Sequence, residues 1–344
     1  MAHHPARRPL RSAVAAAACL ATLAAVSGCS SGGGGDAVRI GVGGQPLLVY
    51  LPTTLAQQLG YYKEAGVQVR LEDLQGGSKA LQAMQGGSVD VVSGYYDHTI
   101  QMQAKHRDVV SFVNMLRYPS LVLAVSPKAS KKIDSVEDLK GAKVGVTAPG
   151  SSTDFFLKKL LTDHGMKADA ASVQGIGGDS TAVAAMEQGR VDAAVMLDPA
   201  VSQLQKRVGA KQVKLLTDTR TEKGVQEDFG VSTYPAAVLY SDRDWLEDHP
   251  DRARKLAKAV LKALKYIDTH SAKEIAAKMP RQYAGDDPAV YEKAIAQAKD
   301  AYAKDGRIRA DGAAAVHKVL SAFTPEIAKA DVDLEKTYTN EYVK

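Results

Sequence analysis

Short apolar runs alternate with amphipathic stretches along this chain, and the alternation comes round twice. Val38 to Val42 is an apolar strand that the loop Gly43-Gly44-Gln45-Pro46 cannot continue. Leu55, Leu59 and Tyr62 then recur at helical spacing until Gly66 closes the helix; Val67 to Leu71 is a second strand, Ser78 to Gln85 a second helix and Val89 to Ser93 a third strand. The same order returns as Lys143 to Val146, Asp154 to His164, Ala171 to Val173, Ser180 to Gln188 and Ala193 to Leu197. Strands alternating with helices in this way predict α/β units with mainly parallel sheets.

The echo extends to residue identities. At an offset of 102, Gly76 to Asp90 and Gly178 to Asp192 share eight of fifteen residues, among them Gly87/Gly189, Val89/Val191 and Asp90/Asp192. A period near 100 residues exceeds the roughly 20 to 50 of a solenoid unit, so it predicts two similar lobes facing each other across a cleft. The β-rich run Ser120 to Ser126 leaves the first lobe and Ala236 to Tyr240 returns to it, which makes the two crossings a hinge. The expected division is 37–124 with 238–344 for lobe 1 and 125–237 for lobe 2. Beyond Trp245 the chain reads as helical, with Leu256, Val260, Ala263, Leu264 and Ile267 on one apolar face and Lys255, Lys258, Lys262 and Lys265 on a solvated one.

Composition adds a compartment. Arg7, Arg8 and Arg11 precede an uncharged Ala/Val/Leu run from Ser12 to Ser27, the form of a secretory signal over 1–28, by the general route or, given Arg7-Arg8, the twin-arginine one. The run of 16 residues falls short of the roughly 20 needed to span a membrane. It ends in Val26-Ser27-Gly28-Cys29, which resembles a lipobox and marks Cys29 for lipidation, with 29–36 as a Gly/Ser tether. The only other cysteine, Cys19, lies inside the signal, so the mature chain has no disulfide framework. Removing the three signal arginines from the formal +5 leaves +2, too little to indicate nucleic acid.

Candidate chemistry collects at the ends of strands, where open α/β sheets bind ligands. The turn Gly150-Ser151-Ser152-Thr153-Asp154 joins a strand to a helix start. It has Ser151 where a phosphate-binding loop needs Lys, which leaves an anion cradle of backbone N–H groups and the Ser151, Ser152 and Thr153 hydroxyls, one of which also caps the helix. Tyr95 and Tyr96 are placed to stack on or hydrogen-bond a ligand. Asp97-His98 has an acid/base look but no nearby nucleophile. Asp198, the symmetric position, either meets the ligand or caps the helix begun by Pro199. Gln45, Pro46, Gly178 and Tyr234 complete the ring. No HxxH, HExxH, CxxC or GxGxxG occurs, and GxSxG only at Gly28 to Gly32 in the lipobox and tether, so the sequence predicts neither a metal site, a cofactor nor a catalyst.

With these residues in view, the chain resembles the solute-binding proteins of ABC importers, in the family that binds nitrate, aliphatic sulfonates and taurine and includes thiamine-pyrimidine binders. The resemblance runs over roughly residues 37 to 300. It rests on Ile40 to Pro46, LGYYKEAGVQV from Leu59, GGSVDVV from Gly86, GSSTD from Gly150, GRVDAAV from Gly189 and LDPA from Leu197. It implies a two-lobed periplasmic binding protein of type II, a monomer that closes on a small ligand and docks on the permease membrane subunits, held at the membrane by lipid on Cys29, in the periplasm or on the outer face of the cytoplasmic membrane. It further implies that Ser151 to Thr153 line an anion site and that Asp198 lies near the ligand. Sulfonate and taurine members often carry Trp where Leu197 stands, so a thiamine-precursor pyrimidine or an aromatic carboxylate is the alternative ligand. A synthase on the same fold would need a cysteine-rich iron motif absent from the mature chain, and a membrane sensor would need a signalling domain.

Overall fold

The computed structural model describes residues 37–344, so the signal, Cys29 and the tether lie outside the described residues. Ten strands form two five-stranded sheets. The first contains β1 (Val38–Val42), β2 (Val69–Asp73), β3 (Val91–Tyr95), β4 (Val109–Asn114) and β10 (Ala237–Asp242), in the order β2-β1-β3-β10-β4. The second contains β5 (Val122–Val125), β6 (Lys143–Val146), β7 (Ser172–Gly175), β8 (Ala193–Met196) and β9 (Leu215–Asp218), in the order β7-β6-β8-β5-β9. Four strands of each sheet run one way and the fifth, β10 or β5, runs against them. These are mixed sheets of one topology used twice, flanked by helices, as the α/β reading requires.

The repeated residues do repeated work. Asp90 accepts the N–H of Arg39 at 2.8 Å, and Asp192 accepts that of Lys143 at 2.8 Å, so each carboxylate pins the start of the first strand of its lobe. Gly87 and Gly189 end the helices Gly77–Gln85 and Ser180–Glu187 in the left-handed region, with φ of 71° and 69°, where a Cβ is disfavoured. The central strands β3 and β8 are buried along their whole length, while the outer strands β2 and β7 keep exposed positions. The outer strand β4 is nonetheless buried, because the C-terminal segment covers it through a bridge from Ser111 to Tyr338 and an edge contact between Phe112 and Tyr342.

Two expectations shift. The helix that was to reach Tyr62 runs only from Leu51 to Gln58, and a second short helix, Tyr61–Glu64, follows a break at Gly60 (φ 71°). The strands expected at Val67 and Val89 begin two residues later, at Val69 and Val91, because the preceding residues complete the turns out of their helices.

The chain crosses between the sheets after β4 and again before β10. The 20-residue helix Pro250–Thr269 buries Leu256, Val260, Ala263, Leu264 and Ile267 against Leu51–Gln58 and Tyr61–Glu64, and Lys262 on its outer face pairs with Glu64. The helix Ala310–Phe323 packs against both Asp97–Gln103 and Ser152–Asp163, one from each lobe. Most of the buried apolar side chains form one continuous cluster, and a smaller one lies between β5, β8 and the helices Ser180–Glu187 and Ala200–Val208. Among the described residues no helix is long and apolar enough to cross a membrane.

Candidate functional site

The ends of β1, β3 and β6 and the turns that follow them face one another across the lobes and enclose a small pocket. Gly43, Leu47, Tyr50, Gly77 and Tyr95 line it from the first lobe, and Thr147, Ser151, Ser152, Thr153 and Leu197 from the second. Only about 10 Å³ remains free inside, room for at most about one water. The lobes are latched around it. The Ser78 N–H donates to Ser151 Oγ at 3.0 Å, Ser78 Oγ donates to the Pro149 carbonyl at 2.9 Å, and the Leu48 N–H donates to the Asp198 carbonyl at 2.9 Å.

The hydroxyl turn sits where the sequence predicts it, at the N-terminus of the 12-residue helix Ser152–Asp163, but its hydroxyls are engaged differently from expectation. Ser151 occupies the N-cap position without making a side-chain cap, because its Oγ meets Ser78 across the cleft. Thr153 Oγ1 accepts the Thr147 N–H at 3.0 Å and fixes the strand end. Ser152 Oγ donates to Asp97 Oδ1 at 2.8 Å, a fourth hydrogen bond between the lobes.

Asp97 is thereby central. Burial raises its carboxyl above the ordinary range, and the neighbouring His98 and the Ser152 hydrogen bond offset only part of that push. His98 is held down, toward the neutral form, by its own burial; its Nδ1 lies 3.2 Å from the Tyr240 hydroxyl. Beside Asp97 an aromatic wall of Phe155, Phe156, Phe229 and Tyr234 continues from the pocket, with Phe229 stacked on Tyr234 at 4.8 Å and Phe156 edge-on to Phe229 at 5.5 Å. Lys159 Nζ lies 5.4 Å from the Phe229 ring centre and pairs with Asp163. The pocket between the strand ends is lined by neither Arg nor Lys.

The other predicted residues divide. Tyr95 faces the pocket, edge-on to Tyr50 at 6.2 Å, and its hydroxyl donates to the Pro119 carbonyl at 2.5 Å. Tyr96 turns the opposite way, fully buried, with its hydroxyl 2.5 Å from Thr337 Oγ1, so it serves the C-terminal segment. Gly178 borders the pocket against Leu47. Gln45 and Pro46 stand half-buried outside the lining; Gln45 accepts from the Tyr283 hydroxyl at 2.9 Å. Asp198 takes the capping role: Oδ1 accepts the Ser202 N–H at 3.1 Å and Ser202 Oγ at 2.7 Å, while Oδ2 accepts from Arg220 at 2.9 Å. Sequence reasoning missed Tyr50, Leu47, the Phe155-Phe156 pair and Arg220. Phe155-Phe156 carried a signal, since two adjacent aromatics directly after the hydroxyl turn must flank whatever the turn faces. Among the described residues no cluster of His, Cys, Asp and Glu suits a metal.

A 4-amino-5-hydroxymethyl-2-methylpyrimidine phosphate synthase of Saccharomyces cerevisiae is 23% identical over 224 residues, which is 65% of this chain and 64% of that protein, so the match spans less than two thirds of the relative's length. A protein of Bordetella bronchiseptica RB50 is 42% identical, with a TM-score of 0.85, over 89% of this chain and 95% of its own. The alkanesulfonate-binding protein SsuA of Xanthomonas axonopodis pv. citri, bound to MOPS, shares the fold at a TM-score of 0.69 and 18% identity, over 88% of this chain and 97% of its own. The family described as NMT1/THI5 like matches residues 49–273, well over half of the chain. The chain therefore belongs to the NMT1/THI5 like family.

Proposed function

We propose that this protein is the solute-binding component of an ABC importer. It works outside the cytoplasmic membrane, tethered by lipid on Cys29, and as a monomer hands one small molecule to the permease without altering it. Two matching lobes meeting over a sealed pocket support this. With about 10 Å³ free, a ligand enters only when the lobes part, and it holds them together afterwards by binding the closed form better.

The ligand reading rests on one observation, the buried Asp97 carboxylate beside the N-terminus of Ser152–Asp163, in the aromatic extension of the pocket whose one cation, Lys159, is already paired with Asp163. A bare anion would gain the helix end and meet repulsion from Asp97. A solute carrying an N–H donor or a cation together with acceptor oxygens or nitrogens satisfies both ends. Within the nitrate, sulfonate and taurine range this favours a taurine-like aminosulfonate, and the flat aromatic wall supports an aminopyrimidine as the second reading. Tight capture of about −8 kcal/mol is within reach of several charge-assisted hydrogen bonds and one aromatic contact.

A thermal-shift screen with taurine, ethanesulfonate, nitrate and an aminopyrimidine tests this, since ligand at 100 times its dissociation constant stabilises by about 2.7 kcal/mol. Taurine or the aminopyrimidine should stabilise the protein and lose that effect in Asp97→Asn. Nitrate or ethanesulfonate acting alone, undiminished in Asp97→Asn, would overturn the ligand reading. Turnover of any of these compounds would overturn the transport reading itself.

A further inference from the structure

A groove of about 400 Å³ lies outside the interlobe pocket and shares no residue with it. The outgoing crossing contributes Asn114 and Arg117, the return crossing Ser232, Thr233 and Pro235, and the third wall runs from Ala303 to Gly312 at the start of the helix Ala310–Phe323. Four cations, Arg117, Lys304, Arg307 and Arg309, stand in it against two carboxylates, Asp305 and Asp311.

The charges are not cancelled within the groove. Asp305 already accepts the Arg307 N–H at 3.0 Å and Arg309 Nη2 at 3.1 Å, and Lys304 pairs with Asp268 at 3.5 Å. Arg117 is held in place, donating to the Asp300 carbonyl at 2.9 Å and lying 4.9 Å over the Tyr118 ring. The Arg307 guanidinium has no partner among the described residues. The 14-residue helix Ala310–Phe323 starts here with no side-chain cap from Arg309; the Asp311 carboxylate holds the Gly312 N–H at 2.8 Å, which leaves the Ala310 and Asp311 N–H groups of its first turn to an anion.

One further group decides which anion. Asn114 is 5% exposed and its Nδ2 donates to the Arg307 carbonyl at 3.3 Å, which orients the amide and leaves Oδ1 buried with no partner among the described residues. A buried acceptor without a donor is unfavourable, so the matching ligand brings an O–H as well as negative oxygens. At neutral pH inorganic phosphate has such a proton in both its singly and doubly charged forms, whereas a phosphate monoester, with a second pKa of about 6, has mostly lost it. Sulfate, nitrate and the phosphodiester of a lipid headgroup have none.

We infer that this groove is a second binding site, for inorganic phosphate. The P–OH donates to Asn114 Oδ1, and the remaining oxygens accept from Arg117, Arg307 and the first turn of Ala310–Phe323. The inference is independent of the ligand assigned to the interlobe pocket.

Titration calorimetry of the purified protein with inorganic phosphate alone, in a phosphate-free buffer near pH 7, tests it. Saturable binding is expected, with sulfate at least ~10-fold weaker, and Arg307→Gln lowering phosphate affinity by ~10- to 100-fold through loss of a charged hydrogen bond. Arg307 is exposed, so that variant folds; Asn114→Ala, checked by thermal unfolding, should erase the preference for phosphate over sulfate. No saturable heat up to about 10 mM phosphate, undiminished binding in Arg307→Gln, or equal affinity for sulfate in the unaltered protein would overturn the assignment. So would Arg307-dependent co-sedimentation with phosphatidylcholine–phosphatidylglycerol vesicles in the absence of phosphate binding, which would give the groove to lipid.

Discussion

A single methyl group at Gly76 should hold the lobes apart. Gly76 lies at the start of the helix Gly77–Gln85 with φ of 169°, extended backbone that alanine adopts freely, so Gly76→Ala leaves the first lobe unstrained. A Cβ there would stand 2.8 Å from Ala148 Cβ of the second lobe, about 1 Å inside an ordinary carbon contact of roughly 3.5–4.0 Å. Ala148 has no rotamer with which to move away, so the strain falls on closure itself. Overpacking of this kind costs about 1–3 kcal/mol. If closure completes binding, that becomes a loss of roughly 5- to 150-fold in ligand affinity, because apparent affinity scales with the population of the competent form. Gly178→Ala is the internal control. Its Cβ would meet Leu47 Cδ1 at 2.9 Å and Cδ2 at 3.1 Å, the far end of a side chain that can rotate, and less than about 1 kcal/mol is expected. Calorimetry with the ligand found by the screen measures both variants, and small-angle scattering should report a larger radius of gyration for unliganded Gly76→Ala. Affinity within twofold of the unaltered protein for Gly76→Ala, with unchanged scattering, would refute the link between closure and binding.

Three further outcomes follow from single side chains. Asp192→Asn removes a charged acceptor from Lys143, Ser130 N–H and Ser130 Oγ and should lower stability by about 1–3 kcal/mol at neutral pH in denaturant unfolding. Burial pushes that carboxyl up, but its hydrogen bonds outweigh this and leave it below the ordinary value; its contribution is therefore full above about pH 4 and is lost as the pH falls below that. Asp228 behaves oppositely. Burial lifts it to about 6, so ionising it weakens the fold as the pH rises from about 4 to 6, and Asp228→Asn should gain about 1 kcal/mol above pH 6 once its partial exposure is allowed for, and nothing below pH 4. Phe229→Ala strips the stack on Tyr234 and the edge contact with Phe156, and chemical unfolding should show a loss of about 3 kcal/mol.

The repeat made the fold legible. Two copies of one strand-and-helix order have one common topology, and Asp90 and Asp192 recur because each lobe must anchor its first strand in the same way. The reversed strands β10 and β5 were legible only as crossings, since pairing direction depends on which neighbour a strand meets and not on its own residues. The site was half legible. Tyr95 and Tyr96 look equivalent in sequence, but successive side chains at a strand end point to opposite sides, and one meets the cleft while the other meets Thr337, 241 positions away.

Asp97 shows why the remainder was hidden. In sequence it stands beside His98 and suggests acid/base chemistry, a reading based on the nearest neighbour along the chain. In the fold the residue that matters to it is Ser152, 55 positions away and in the other lobe. The Ser151 to Thr153 hydroxyls read as free donors for an anion because a sequence shows what a turn can offer and not what already occupies it. Here Ser151 faces Ser78, Ser152 faces Asp97 and Thr153 faces Thr147, so a ligand entering the cleft must compete with bonds that join or stiffen the lobes. Under the proposed function that competition favours a solute that replaces the Ser152 hydroxyl at Asp97 with a donor of its own, which a bare anion does not have.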